Sequence, residues 1–305
     1  MPFHTLVPGV GREIIASVDA TTPERGTVAL WFIGQAGFIV KFPGGPVVYL
    51  DPWLSDLNGG PRAYPIPLDA QLIAHCDVLL TSHDHGDHID KDVDPIIMER
   101  SPGATWVAPR AAEALVRQLG GTPERTVLLR GDEAAEVAGV RITAIPATHY
   151  GFFDEARYTD ADEAYYAAIP AALPDERRDA ERFLSFVIEH DGFALFFAGD
   201  NNGYHGFLER LARWPGFDVM LLPINGRDWF REQHRVIGNF THREAAQVAH
   251  AAKAALFVPY HYDGFTGNNE YPDALVRYTT SDGPRVPVRV MQLGECIVVP
   301  KATRG

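Results

Sequence analysis

Cysteine is scarce in this chain of 305 residues, long apolar runs are missing, and basic side chains are outnumbered. The two cysteines, Cys76 and Cys296, lie far apart and in no metal-ligand or redox spacing. That excludes a disulfide scaffold and a cysteine-built zinc site, and leaves inert thiols in a reducing compartment. No stretch approaches the ~20 apolar residues of a membrane-spanning helix. The segment Met1 to Gly9 also lacks the positive start and apolar core of a signal peptide. We therefore expect a soluble, cytoplasmic protein with no membrane partner. Lys and Arg number 27 against 40 Asp and Glu, a net charge of −13. Nucleic-acid surfaces draw affinity from clustered Lys and Arg, so no nucleic-acid partner is expected. With 46% hydrophobic and 22% charged residues, disorder is excluded as well.

What is present reads as one α/β unit with a substantial core. Val28 to Ile33, Phe38 to Phe42 and Val47 to Leu50 form an antiparallel meander, punctuated by Gly34, Gly37 and the turn Pro43-Gly44-Gly45-Pro46. Units then alternate: a helix over Leu68 to Cys76, a strand over Asp77 to Thr81, a helix over Lys91 to Arg100, a strand over Thr105 to Ala108, a helix over Ala111 to Leu119. The second half repeats this logic. Strands are predicted over Val140 to Ile145, Phe183 to Glu189 and Phe193 to Ala198, the last two joined by the hairpin turn Asp191-Gly192. A helix over Gly206 to Arg213, a strand over Asp218 to Leu222, a helix opened by the capping box Thr241-His242-Arg243-Glu244 and a strand over Ala255 to Pro259 follow. Val288 to Gln292 and Cys296 to Val299 would close the fold. Residues 151–182 break the order: they are too long for an ordinary connection and mix five aromatics with many carboxylates. They read as a lid-like insertion, or else as a surface excursion or assembly contact.

The chemistry concentrates in Thr81-Ser82-His83-Asp84-His85-Gly86-Asp87-His88, directly after the apolar Val78-Leu79-Leu80. Imidazole and carboxylate suit borderline divalent metals. A solvated polar loop would be the bland alternative. Against it, His149, Asp200 and His261 each follow another predicted strand, and loops beyond strand carboxyl ends are where α/β sheets gather ligands.

The pattern resembles the signature of the metallo-β-lactamase-fold hydrolases, His-x-His-x-Asp-His followed by a distant His, Asp and His. That resemblance implies an αββα four-layer sandwich of two similar halves, a single domain over residues 1–305. It implies two divalent metal ions, with Zn and Mn foremost and Fe compatible. His83, His85 and His149 would hold one, Asp87, His88 and His261 the other, and Asp200 would bridge them. Asp51 would accept the second ring N–H of a ligating histidine. Within the family, Trp31 to Phe38, Asp51-Pro52-Trp53 and Thr81 to Asp90 resemble the L-ascorbate-6-phosphate lactonase branch, which also raises the expectation of a homo-oligomer.

Two divalent ions roughly 3.5–4 Å apart acidify a shared water, polarise a scissile bond and stabilise an oxyanion. The expected activity is hydrolysis of a small, anionic substrate, a sugar-type lactone, by a metal-bridging hydroxide oriented by the catalytic carboxylates Asp87 and Asp200. A phosphodiester, cyclic nucleotides included, is the alternative on the same site. An RNA-processing nuclease is disfavoured by the acidic balance, and a non-catalytic binding protein by the complete ligand set. A flavin-linked diiron oxidoreductase would carry a carboxylate where His85 stands. Asn225, Arg227 and His234, in another strand-end loop, are the candidate substrate-binding residues, against the reading of a merely solvated loop.

Overall fold

The computed structural model describes residues 10–56, 62–149, 182–233, 236 and 238–304. The proposed insertion at 151–182, apart from Arg182, and the candidate His234 lie outside the described residues. Among the described residues thirteen strands form two sheets. The first contains β1 (Thr27–Gly34), β2 (Gly37–Lys41), β3 (Val47–Leu50), β4 (Val78–Leu80), β5 (Thr105–Pro109), β6 (Thr126–Leu129) and β13 (Cys296–Pro300), in the order β13-β1-β2-β3-β4-β5-β6. The second is β12-β11-β10-β9-β8-β7, built from β7 (Ala134–Val137), β8 (Val140–Pro146), β9 (Leu184–His190), β10 (Phe193–Phe197), β11 (Val219–Pro223) and β12 (Phe257–Tyr260).

Strand residues alternate between two apolar layers. In β1, Val28, Leu30 and Phe32 join the layer between the sheets, where Ile142, Phe186, Leu195 and Phe197 of the second sheet meet them. Ala29, Trp31 and Ile33 point the other way, against Ile14 and Val18 of α1 (Val10–Ala20) and Ile97 of α2 (Asp94–Arg100), with Val116 of α3 (Glu113–Gln118) in the same layer. On the far face of the second sheet, Phe196, Met220 and Leu222 pack on α4 (Phe207–Leu211), α6 (His242–Ala251) and α7 (Pro272–Thr280) through Phe207, Leu211, Ala245, Ala249 and Leu275. A short helix α5 (Trp229–Gln233) follows β11. Both faces of the central strands are buried, which is why they read as continuous apolar runs. The result is the expected α/β/β/α layering.

Strand direction assembles the loops that matter. β3, β4, β5 and β6 run parallel, as do β10, β11 and β12. β8 is two antiparallel steps from β10 and so shares its direction. The carboxyl ends of β3, β4, β8, β10 and β12 therefore carry Asp51, the 83–88 loop, His149, Asp200 and His261. A main-chain hydrogen bond from Leu184 N–H to the Ser82 carbonyl, 3.1 Å, ties the two sheets together at that edge.

Several local expectations differ from the structure. Leu68 to Cys76 forms only a short 3-10 turn, Ala70–Leu72, capped by Asp69. The following backbone is drawn into tertiary bonds with Ser101, whose Oγ accepts from Cys76 N–H and donates to the Ile73 carbonyl. Val288 to Gln292 forms no strand beyond a single bridge from Val288 to Phe257. β6, β7 and α1 were not expected. The partial exposure of β6 and β7 gives them no clear apolar period. No helix among the described residues is long and apolar enough to cross a membrane. Both cysteines are free thiols.

The capping box at Thr241 is complete: its Oγ1 accepts from Glu244 N–H and Glu244 returns a carboxylate to Thr241 N–H at 2.8 Å. Replacing Thr241 with Ala should cost about 1 kcal/mol in denaturant unfolding. Phe186→Ala, in the layer between the sheets, should cost about 3–5 kcal/mol in the same measurement.

Candidate metal centre

The loop after β4 is held at both ends. Thr81 N–H continues the sheet to the Val107 carbonyl, and a turn closes when the N–H groups of His88 and Ile89 both reach the His85 carbonyl. That turn brings the imidazoles together: ring centroids lie 4.0 Å apart for His83 and His88 and 4.4 Å for His83 and His85. His149 arrives from β8 at 5.5 Å from His83. Phe183 walls the rings of His83, His85 and His149 at 5.2 to 5.8 Å.

Two ligand sets result. One potential ligand atom from each of His83, His85, His149 and Asp200 lies within 4.8 Å of the others, and Asp87, His88 and His261 form a second such group. Asp200 addresses both. Its Oδ2 is 3.0 Å from His149 Nε2, while its Oδ1 is 3.2 Å from His261 Nε2 and 3.4 Å from His88 Nε2.

Asp51 and Ser82 fix the outer face of the cluster. Asp51 Oδ2 lies 2.5 Å from His88 Nδ1 and its Oδ1 accepts from Ser82 N–H at 2.7 Å. Ser82 Oγ donates to Asp51 and lies 3.0 Å from His83 Nδ1. Both histidines thus spend Nδ1–H outward and turn Nε2 inward. Nε2 of His83, Nε2 of His88 and Oδ1 of Asp200 are buried and make no hydrogen bond. A buried polar atom left without a partner costs ~1–3 kcal/mol. Three such atoms on imidazoles and a carboxylate fit the donor set of a divalent cation, so the residues present suit a metal.

Electrostatics separates the two sets. Burial, then the neighbouring His88 and His85, holds His83 well below the ordinary histidine range. Burial and His149 bring His85 to about 4. Burial also works against charge on His88 and His261, yet Asp200 and Asp87 outweigh it and hold His88 well above its ordinary value and His261 up to about 9. Burial would raise Asp87 and Asp200, but the facing histidines hold both carboxylates low. Burial and like neighbours thus disfavour charge on His83 and His85, whereas the facing carboxylates favour it on His88 and His261.

Sequence reasoning gave no role to Gln35 or Ser82. Gln35 turns from β1 into β2 at φ 55°, and Asp51 and His261 also sit at positive φ, 37° and 61°. Side chains rarely adopt that backbone, so its recurrence at this edge marks a constrained site. No apolar period signals it. Of the candidate substrate-binding residues, Asn225 is engaged by Asn268 and Asn239. Arg227 pairs with Glu244 at 2.5 Å and donates to the Asn239 carbonyl.

Asp51→Asn removes the charge that orients His88. It should weaken cation affinity 10- to 100-fold while leaving the circular dichroism of the fold unchanged, as measured by chelator competition.

Comparison with known proteins agrees with this geometry. The sequence model of the beta-lactamase superfamily domain matches residues 47–262. The chain is 28% identical over 271 residues to a metal-dependent hydrolase of Rubrobacter xylanophilus, covering 88% of this chain and 96% of that one. It is 24% identical over 293 residues to the probable L-ascorbate-6-phosphate lactonase of Shigella boydii, covering 88% and 78%. Among solved structures, a metallo hydrolase of the archaeon Ignicoccus hospitalis superposes with a TM-score of 0.65 at 21% identity, over 89% of this chain and 98% of that one. An isothiocyanate hydrolase from Delia radicum gut bacteria gives 0.65 at 17%, over 88% and 98%. Those two likenesses speak for the fold. The chain belongs to the beta-lactamase superfamily and is a metal-dependent hydrolase of the metallo-β-lactamase fold.

Proposed function

We propose that each ligand set holds one divalent cation, Zn or Mn, and that the substrate hydrolysed there is a small anionic lactone of the sugar type. The observation that carries the two-cation reading is Asp200, whose two oxygens face the two sets separately. Cations at such a pair of sites supply Lewis acidity, activating water and polarising the bond to be cut. The chain supplies the rest. Ser82 and Asp51 lock the tautomers of His83 and His88. Asp87 and Asp200, both held ionised, are the proposed catalytic carboxylates, which orient the attacking water. Phe183 packs beside the rings of His83, His85 and His149. The lactone class is supported by the similarity to a relative whose name is that of a lactonase. A cytoplasmic setting fits the free thiols of Cys76 and Cys296.

The test is metal analysis of purified protein joined to a hydrolysis panel of lactones, phosphodiesters and β-lactams, with and without chelator. Lactone turnover that vanishes with chelator and returns with Zn or Mn is expected; preferential cleavage of a phosphodiester would reassign the substrate class. His83→Ala and Asp200→Ala should each abolish turnover and lower metal content, and full activity in metal-free protein would sink the reading. If Arg227 leaves Glu244 to hold the substrate's anion, Arg227→Ala should raise KM for an anionic lactone about tenfold while leaving KM for a neutral lactone unchanged.

A further inference from the structure

The two ligand sets differ in one respect that the chemistry of their ligands does not explain. The carboxamide of Gln35 reaches into the second set alone. Its Nε2 lies 2.9 Å from Asp87 Oδ2 and 2.9 Å from His261 Nε2, two of the atoms that would hold a cation there.

The amide cannot easily turn away or over. Gln35 Oε1 accepts from Gly264 N–H at 3.1 Å, which settles that the nitrogen end faces the ligands. The main chain of Gln35 is pinned to the same loop. Its N–H reaches Asp263 Oδ1 at 3.2 Å, and its carbonyl accepts from His261 N–H at 2.9 Å. Gly264 leaves the space in which the side chain lies: a Cβ there would stand 2.6 Å from Gln35 Cδ and closer still to Oε1.

An amide N–H can be donated only to a lone pair. At Asp87 Oδ2 it therefore occupies the oxygen a cation would use, and at His261 it stands against the ring nitrogen that would have to face the cation. We propose that Gln35 sets the order of metal loading: the first set fills first, and the second fills only by displacing the Gln35 amide from Asp87 and His261. This rests on the reading of the two sets as cation sites, and is independent of which substrate is cleaved.

The test uses full-length protein stripped by chelator and titrated with Zn2+ at one fixed pH against a chromophoric competitor. Wild-type protein is expected to show a tight and a weaker class of site. Gln35→Ala should tighten the weaker class roughly ten- to hundredfold, the worth of one hydrogen bond to a charged group, and leave the tight class alone. Gly264→Ala, which expels the amide without altering its chemistry, should do the same. Gln35→Glu, which turns a donor into a ligand, should tighten it further. A purely structural role would loosen binding, never tighten it. A weaker class that is unchanged or loosened in both Gln35→Ala and Gly264→Ala would overturn the proposal while leaving the two-cation reading intact. Wild-type protein that binds no Zn2+ would overturn both, and loss of lactone turnover with loading order preserved would sink the substrate reading alone.

Discussion

Three carboxylates, Asp51, Asp87 and Asp200, are buried together at the edge where the two sheets meet. Ionised groups in such a place are tolerated only when positive charge and hydrogen-bond donors surround them. The neighbouring architecture answers that demand. His88 sits between all three, His261 faces two of them, and the Ser82 main chain and hydroxyl serve Asp51. The answering groups come from the loops after β4 and β12, one strand in each sheet. The centre therefore exists only when both sheets are stacked in the right register.

The layer between the sheets provides that register. Alternate side chains of each central strand go to the shared layer and to a helical layer, so a slip by one residue would exchange the two sets of apolar contacts along the whole strand. Tyr260 illustrates the coupling: its ring packs against Phe38 of the first sheet and Phe197 of the second, and its hydroxyl donates to the Gly199 carbonyl, one residue before Asp200. Core packing and ligand placement share the same atoms at that point.

Most of the architecture was legible because its signals are local. The apolar strands, the Asp191-Gly192 turn, in which both residues take positive φ, and the Thr241 capping box each declare themselves within a few residues. The 83–88 cluster is legible for the same reason, and His149, Asp200 and His261 follow once their strands are placed. Gln35 and Ser82 were not, because their importance lies in what approaches them from elsewhere: Asp87 and Gly264 for the one, Asp51 and Leu184 for the other. The helix expected over Leu68 to Cys76 gave way to side-chain bonds from Ser101, a partner about 25 residues away that periodicity does not see.

The outer strand of the first sheet has a bearing on how the chain reaches its native state. β13 pairs along β1 from Thr27 with Pro300 to Trp31 with Cys296, so the earliest strand waits for residues near 300 to be synthesised. Until then β1 is an unpaired edge of eight residues, seven of them fully buried in the finished fold. Such edges recruit foreign strands. Ribosome-bound nascent chains short of residue 296 should therefore depend on chaperones, and release from that dependence marks the closing of a contact with one of the longest sequence separations in the molecule.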